Sequence, residues 1–259
     1  MTNLAHIIIY MDNRSDGKFD ESEGFKMNRD LEDYMEELPN EEFFSRFTTE
    51  EMTKIKEESV IHQYRKGQIL FFQADPKRYS FFLLKGLIRL EKADSNDEYL
   101  YFDYIKGHSF FPYGGVFGQH DYTHSAIAMT DIDLLLIPNK LIESLVAQNT
   151  NQLRYMYGKI SEILVFHETR LQLTAISSAV DRVIQSLSLW MIDMGTVVGE
   201  TTVIPYPLTI NELAVVAGTT RETAGKVVRD LTSQGLIDFN RRRITIFDRS
   251  YFEKHIFMG

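Results

Sequence analysis

The residues best suited to chemistry lie close together near the C-terminal end: Thr219, Thr220, Arg221, Glu222, Gly225, Lys226 and Arg229. Arg, Glu and Lys are side chains that read base edges. Arg donates two parallel hydrogen bonds to guanine, and a carboxylate accepts from the cytosine amino group. Their spacing places Arg221, Glu222, Gly225, Lys226 and Arg229 on one side of a helix. Ala224, Val227, Val228 and Leu231 fall on the other, at three- and four-residue intervals that should pack inward. Upstream, Thr209 and Glu212 fit the S/T-x-x-E capping box, and Thr219 with Glu222 repeats it. Gly218 follows the apolar run Leu213, Ala214, Val216, Ala217 and suits a left-handed residue ending a helix. Two short helices around a tight turn, the second with polar residues at its N-terminal end, suit a helix-turn-helix laid in the major groove. Two surface helices of an ordinary helical domain are the plain alternative. Doubled caps, a turn glycine and clustered contact residues favour DNA reading.

The residues downstream strengthen that expectation. Residues 235–239 and 244–247 read as short strands around Asn240-Arg241-Arg242-Arg243. Such a hairpin forms the wing of a winged helix. Arg241, Arg242 and Arg243 would meet the phosphate backbone, adding affinity without sequence information.

Several classes of function are narrowed by composition. A 259-residue chain with 44% hydrophobic and 25% charged residues has the make-up of a soluble globular protein with room for two cores. It has no cysteine, which excludes disulfides, thiolate zinc sites and cysteine-ligated iron–sulfur clusters. No metal site is expected. The apolar run Ile7–Met11 is too short to span a membrane and lacks a basic leader, so a cytoplasmic protein is expected. The net charge of −9 is localised: residues 1–60 carry seven Lys/Arg against sixteen Asp/Glu. From Pro205 onward eight basic residues face six acidic ones, and DNA binding depends on that local field.

Along the chain, residues 1–26 read as a polar, acidic and poorly ordered segment. Within it Asp12, Asp16, Gly17 and Glu23 sit at positions 1, 5, 6 and 12 of a calcium loop. Arg14 puts a cation where a ligand oxygen belongs, which favours a solvated tail. Residues 30–58 suggest short amphipathic helices with Phe43, Phe44, Phe47, Met52 and Ile55 as core contacts. Strand-like runs then occupy 60–64, 69–72, 79–84, 87–90, 99–105, 125–129 and 131–137. Turn residues separate them, an order that indicates a β-roll or barrel. After Pro138 the pattern turns helical. Leu153, Tyr157, Ile160, Leu164, His167 and Leu171 make an a/d seam of more than two heptads, which suggests a symmetric dimer. A further helix carries Val180, Val183, Ile184, Leu187, Trp190, Met191 and Met194, and residues 195–207 read as a linker.

This order of parts resembles the CRP/FNR superfamily of bacterial transcription regulators over roughly residues 30–255. The resemblance rests on Lys66-Gly67-Gln68-Ile69-Leu70, Asp75-Pro76, the stretch Phe82 to Ile88, and above all Gly218-Thr219-Thr220-Arg221-Glu222-Thr223-Ala224-Gly225-Lys226. It implies an α+β fold: an N-terminal cyclic-nucleotide-binding-type β-roll, a long dimerisation helix and a C-terminal winged helix-turn-helix. The corresponding ranges are 27–148, 149–176 and 177–259. It also implies a homodimer that binds a TGTGA-like palindrome in double-stranded DNA and activates transcription through RNA polymerase. By resemblance, Arg221 reads a guanine, Glu222 a cytosine, and Lys226 a purine or phosphate. The family usually has Arg where Lys226 stands, and Lys lacks the bidentate fork.

The effector region departs from the family. Cyclic-AMP responders hold the ribose with a Glu and the phosphate with an Arg before Ser-Ala. Here those places read Phe111-Pro112-Tyr113 and His124-Ser125-Ala126, which argues against cyclic AMP. No cofactor is expected. Haem ligation through His108, His120 or His124 stays open, since no spacing singles one out. Tyr99, Tyr101, Phe102, Tyr104, Phe110, Phe111, Tyr113, Phe117 and Tyr122 give the region an aromatic character. Phe-Phe-Pro together with Arg-Glu-Thr-Ala-Gly looks most like regulators of arginine-deiminase (arginine catabolism) genes. Two other readings compete. A cupin-like metalloenzyme needs a His-x-His and a nearby Glu that the chain lacks. A sensing or interaction module has no particular need of the Arg221-Glu222 pair. No enzyme activity is expected.

Overall fold

The computed structural model describes residues 34–94 and 100–256. The calcium-like loop, the run Ile7–Met11, Tyr99 and the turn at 95–97 lie outside them. Every element from Leu38 onward belongs to one compact unit that begins at Glu37.

A 3-10 turn (Leu38–Asn40) and helix α1 (Thr49–Glu58) open that unit. Thr48 caps α1 with a complete capping box, and Phe43, Phe44, Phe47, Met52 and Ile55 are all buried, as expected. Eight strands then build the roll: β1 (Val60–Tyr64), β2 (Ile69–Phe71), β3 (Tyr79–Lys85), β4 (Leu87–Ala93), β5 (Leu100–Lys106), β6 (Ser109–Phe111), β7 (Ser125–Ala128) and β8 (Ile132–Pro138). They form two antiparallel sheets, β1-β8-β3-β6 and β2-β7-β4-β5. Between them Phe71, Phe81, Leu83, Ile88, Phe111 and Tyr122 make an apolar core with Leu134 and Leu136. The β3–β4 turn depends on Gly86. At its φ of +100° any added Cβ would lie 2.6 Å from Thr130 Oγ1 and 2.7 Å from Asp131 O.

Helix α2 (Asn139–Gln148) leads into the long helix α3 (Thr150–Thr174), and α4 (Ala179–Met194) comes after a short break. The expected seam residues Leu153, Tyr157, Ile160, Leu164 and Leu171 are exposed along α3, with Tyr157 at 73% and Leu171 at 67%. His167 departs from that stripe. Its Nδ1 lies 3.1 Å from the Tyr101 hydroxyl on β5, so it turns toward the roll. The side of α3 that packs on the preceding chain is marked by buried Gln152 and Met156; Gln152 donates to Phe43 O at 2.9 Å.

The stretch expected as a linker is instead a hairpin, β9 (Thr196–Val198) and β10 (Thr201–Ile204). Gly199, at φ +60°, makes its turn. β10 pairs with β12, giving the four-stranded sheet β11-β12-β10-β9. The two glycines and two prolines of residues 195–207 masked this alternation in sequence. Helices α5 (Ile210–Val216) and α6 (Arg221–Ser233), strands β11 (Ile237–Phe239) and β12 (Ile244–Ile246), and helix α7 (Arg249–Ile256) complete the chain.

The C-terminal elements share one apolar cluster with the roll. Leu87, Phe102 and Tyr104 pack in the same core as Trp190, Leu213 and Val228. No helix among the described residues is long and apolar enough to cross a membrane.

Candidate nucleic-acid interface and effector cavity

Helix α5 starts at Thr209, whose hydroxyl accepts from the Glu212 amide at 3.2 Å while Glu212 Oε2 accepts from the Thr209 amide at 2.8 Å. It ends at Gly218, at φ +57°, as the sequence implied. The second cap falls one residue later than expected. Thr220, not Thr219, is the N-cap of α6, and its hydroxyl accepts from the Thr223 amide at 3.2 Å. A hydroxyl residue at each of 219, 220 and 223 made the sequence ambiguous by one position. Thr219 is half-buried and donates its amide to Ala214 O at 2.9 Å, extending the turn.

Helix α6 divides by face largely as expected. Ala224, Val227, Val228 and Leu231 are buried, and Arg221, Glu222, Lys226 and Arg229 are exposed. None of these four heads makes a hydrogen bond or ion pair among the described residues. Gly225 is the correction: it is buried, and a Cβ built on it would lie 3.8 Å from Ile210 at the start of α5. The nearer neighbour is Arg229 Nη1 at 3.5 Å, so Gly225 is covered by Arg229 and Ile210 at ordinary contact distance rather than standing open on the exposed face.

The wing is set by Asn240, whose side-chain oxygen accepts from the amides of Arg242 and Arg243 at 3.0 and 3.1 Å. This Asx-type turn leaves Arg241, Arg242 and Arg243 exposed at the tip, with side chains unpaired among the described residues.

A buried ion network, which the sequence did not announce, ties the reading unit to the roll. Arg89 on β4 donates from Nη1 to Glu212 Oε1 at 2.7 Å and from Nε to Glu91 Oε1 at 2.7 Å. Its guanidinium lies 4.5 Å over the Phe102 ring. Burial works against the charge on Arg89, but Glu91 and Glu212 outweigh it and raise its pKa. On the same side, Lys106 donates to the Asp193 carbonyl and lies 3.8 Å from its carboxylate. Burial pushes the Asp193 carboxyl up to about 6.

A cavity of about 670 Å³ opens between the roll and α3, reaching Asp193 on α4. Phe111, Pro112, Tyr113 and His124 line it, as expected. Ser125 does not; its hydroxyl accepts from the Gln73 amide at 2.9 Å. Aromatic walls come also from Phe43, which stacks on Phe110 at 3.9 Å, and from Tyr155 and Phe166. The cations in reach are engaged. Lys159 pairs with Glu42 at 3.3 Å and Glu162 at 3.1 Å, and Lys106 is held by Asp193. Arg170, behind His167, bonds the Phe102 carbonyl, Asp103 and the Tyr101 hydroxyl. Burial lowers the pKa of His124, with Lys92 acting in the same direction. No group of three or more side chains among the described residues could hold a metal ion.

A roll with a cavity, a long helix and a winged helix-turn-helix whose Arg221, Glu222, Lys226 and Arg229 are exposed are the parts of a DNA-binding regulator. A family model for the cyclic nucleotide-binding domain matches residues 61–149, and one for the Crp-like helix-turn-helix domain matches 181–254. The global nitrogen regulator of Nostoc sp. is 23% identical over 192 residues, 72% of this chain and 85% of that protein. The HTH-type transcriptional regulator ArcR of Staphylococcus aureus is 28% identical over 181 residues, 70% of this chain and 76% of that one. Among solved structures, FixK2 from Bradyrhizobium japonicum aligns with a TM-score of 0.65 at 19% identity, over 76% of this chain and 96% of that one. The chain belongs to the CRP/FNR superfamily of transcription regulators and is a DNA-binding protein of that type.

Proposed function

We propose that the protein is a cytoplasmic homodimer that recognises a TGTGA-like near-palindrome and activates transcription through contact with RNA polymerase. The exposed stripe of Leu153, Tyr157, Ile160, Leu164 and Leu171 joins two protomers, so that two α6 helices enter successive major grooves about one helical turn apart. One observation carries the reading. Arg221, Glu222, Lys226 and Arg229 stand unpaired in solvent on a helix whose back is buried. Arg221 then reads guanine and Glu222 accepts from cytosine N4, while the wing arginines take phosphates. Control of arginine-catabolism genes belongs to this reading and rests on the Phe-Phe-Pro and Arg-Glu-Thr-Ala-Gly resemblance.

The cavity does not fit a cyclic nucleotide. Its lysines are committed to carboxylates, Pro112 offers no acceptor to a ribose, and burial favours neutral His124. The reading therefore includes DNA binding without a cyclic nucleotide.

Fluorescence anisotropy on a labelled palindrome against a scrambled duplex tests this without added ligand. The parent should prefer the palindrome. The Arg221→Ala/Glu222→Ala variant should lose about 1–3 kcal/mol of discrimination for each base contact removed. Unchanged affinity and preference in the variant would remove α6 from the role of reading helix.

A further inference from the structure

Between α3 and α4 the chain leaves the helix for residues 175–178, and one side chain spans the break. Arg182, in the first turn of α4, donates from Nη1 to the carbonyls of Ile176 at 2.7 Å and Ser177 at 3.1 Å. The same guanidinium donates from Nε to Ala217 O at 3.0 Å and from Nη2 to Gly218 O at 3.1 Å. The first two carbonyls come just after the seam helix; the last two form the turn between α5 and α6. Ala217 is the C-cap of α5, where carbonyls lack intrahelical partners and carry the negative end of the helix dipole.

We propose that Arg182 is a positioning residue for DNA recognition. It fixes the angle between the seam helix and the reading helix, and so sets which half-site spacing the dimer accepts. This rests on the dimer reading given above. Only Thr219 and Thr220 separate Gly218 from Arg221, so a displacement of the turn passes directly to the first base-reading side chain. The shared core leaves a gap on the side of α4 that faces the seam helix. A cavity of about 420 Å³ lies at this junction, walled by Leu171, Leu189, Val215 and Val216 beside Arg182 itself. Apolar contact around a void accommodates more than one angle, because it has no direction. Four hydrogen bonds from one rigid planar fork do not. Lysine keeps the charge but not the fork, and glutamine keeps two donors without the charge.

The test uses full-length protein and a series of palindromes whose spacer is changed by single base pairs, each step moving a half-site by about 3.4 Å along the helix axis. The parent should show one optimum. Hydrogen bonds from a charged group are strong enough that holding the angle should make a one-step change cost about tenfold in affinity. Arg182→Lys and Arg182→Gln should flatten that profile to about threefold or less, with base preference inside each half-site unchanged. A purely structural role would weaken every spacer equally. Phe252→Leu supplies that pattern, since Phe252 is buried in the shared core and far in sequence from residues 175–178. A peaked parent with equally peaked Arg182→Lys and Arg182→Gln variants overturns the role of Arg182 alone. A flat profile in the parent overturns the dimer reading and this inference with it.

Discussion

The contact between roll and reading unit can be probed at one polar point, the Arg89–Glu212 ion pair. Glu212 is 5% exposed and Arg89 19%, with Nη1 2.7 Å from Oε1. Removing one partner of a buried pair costs about 3–5 kcal/mol, because the other charge stays desolvated and uncompensated. Arg89→Met should fall at the lower end, about 3 kcal/mol, since Glu212 keeps the Thr209 amide and hydroxyl at 2.8 Å each. Glu212→Gln should cost about 1–2 kcal/mol, because Arg89 keeps Glu91 and Gln keeps one acceptor for the cap. In the double variant no carboxylate is left stranded at 212. Its loss should therefore fall short of the sum of the two single losses by about 2 kcal/mol. Urea melts of the four proteins measure that coupling directly. Thermal melts should show Arg89→Met lowered by roughly 6–12 °C, at about 2–4 °C per kcal/mol for a chain of this size. Losses that add within about 0.5 kcal/mol would mean that the pair carries no coupling between roll and reading unit.

Leu164 is 57% exposed on the seam, so Leu164→Asp should leave the monomer fold within about 0.5 kcal/mol of the parent. Sedimentation should show loss of the dimer, and a variant that sediments like the parent would place the dimer contact elsewhere. Replacing Arg241, Arg242 and Arg243 by Ala should lower the slope of log affinity against log salt by about 0.9 for each phosphate no longer neutralised. Base preference should stay constant; a changed preference at constant slope would mean that the wing reads bases. Asp193 concerns pH. Its carboxyl is raised from 3.8 to about 6 by burial, so the folded state holds a proton that the unfolded chain releases in that window. Stability contributed by the protonated form is thus lost as pH rises from about 4 through about 6, whereas Asp193→Asn has no such loss. The variant should gain on the parent between melts at about pH 4.5 and about pH 7.5. The gain should stay near 1 kcal/mol or less, because the side chain is one-third exposed. A variant that loses ground to the parent as pH rises would refute the assignment.

The sequence alone determined most of the local structure here. The Thr209–Glu212 box, Gly218 and the apolar back of α6 are short-range patterns, set by hydrogen bonding and periodicity within a few residues. The exposure of Arg221, Glu222, Lys226 and Arg229 was legible for the same reason, because the periodicity that buries the back of α6 leaves them on its other side. Tertiary structure was needed for every feature whose partner lies far along the chain. Gly225 looks like an exposed gap until Ile210 packs over it, and β10 reads as a linker until β12 pairs with it. His167 fits a seam until Tyr101 draws it to the roll. Of the five residues expected at an effector pocket, Phe111, Pro112, Tyr113 and His124 line the cavity and Ser125 faces Gln73, because a one-residue step along the chain reverses the direction of a side chain. Arg89 with Glu212, and Arg182 with the two turns, join residues between 5 and 123 positions apart. No periodicity encodes such pairs. They exist because the shared core of roll and winged helix brings those backbones together, and the low dielectric there makes each buried charge find its partner.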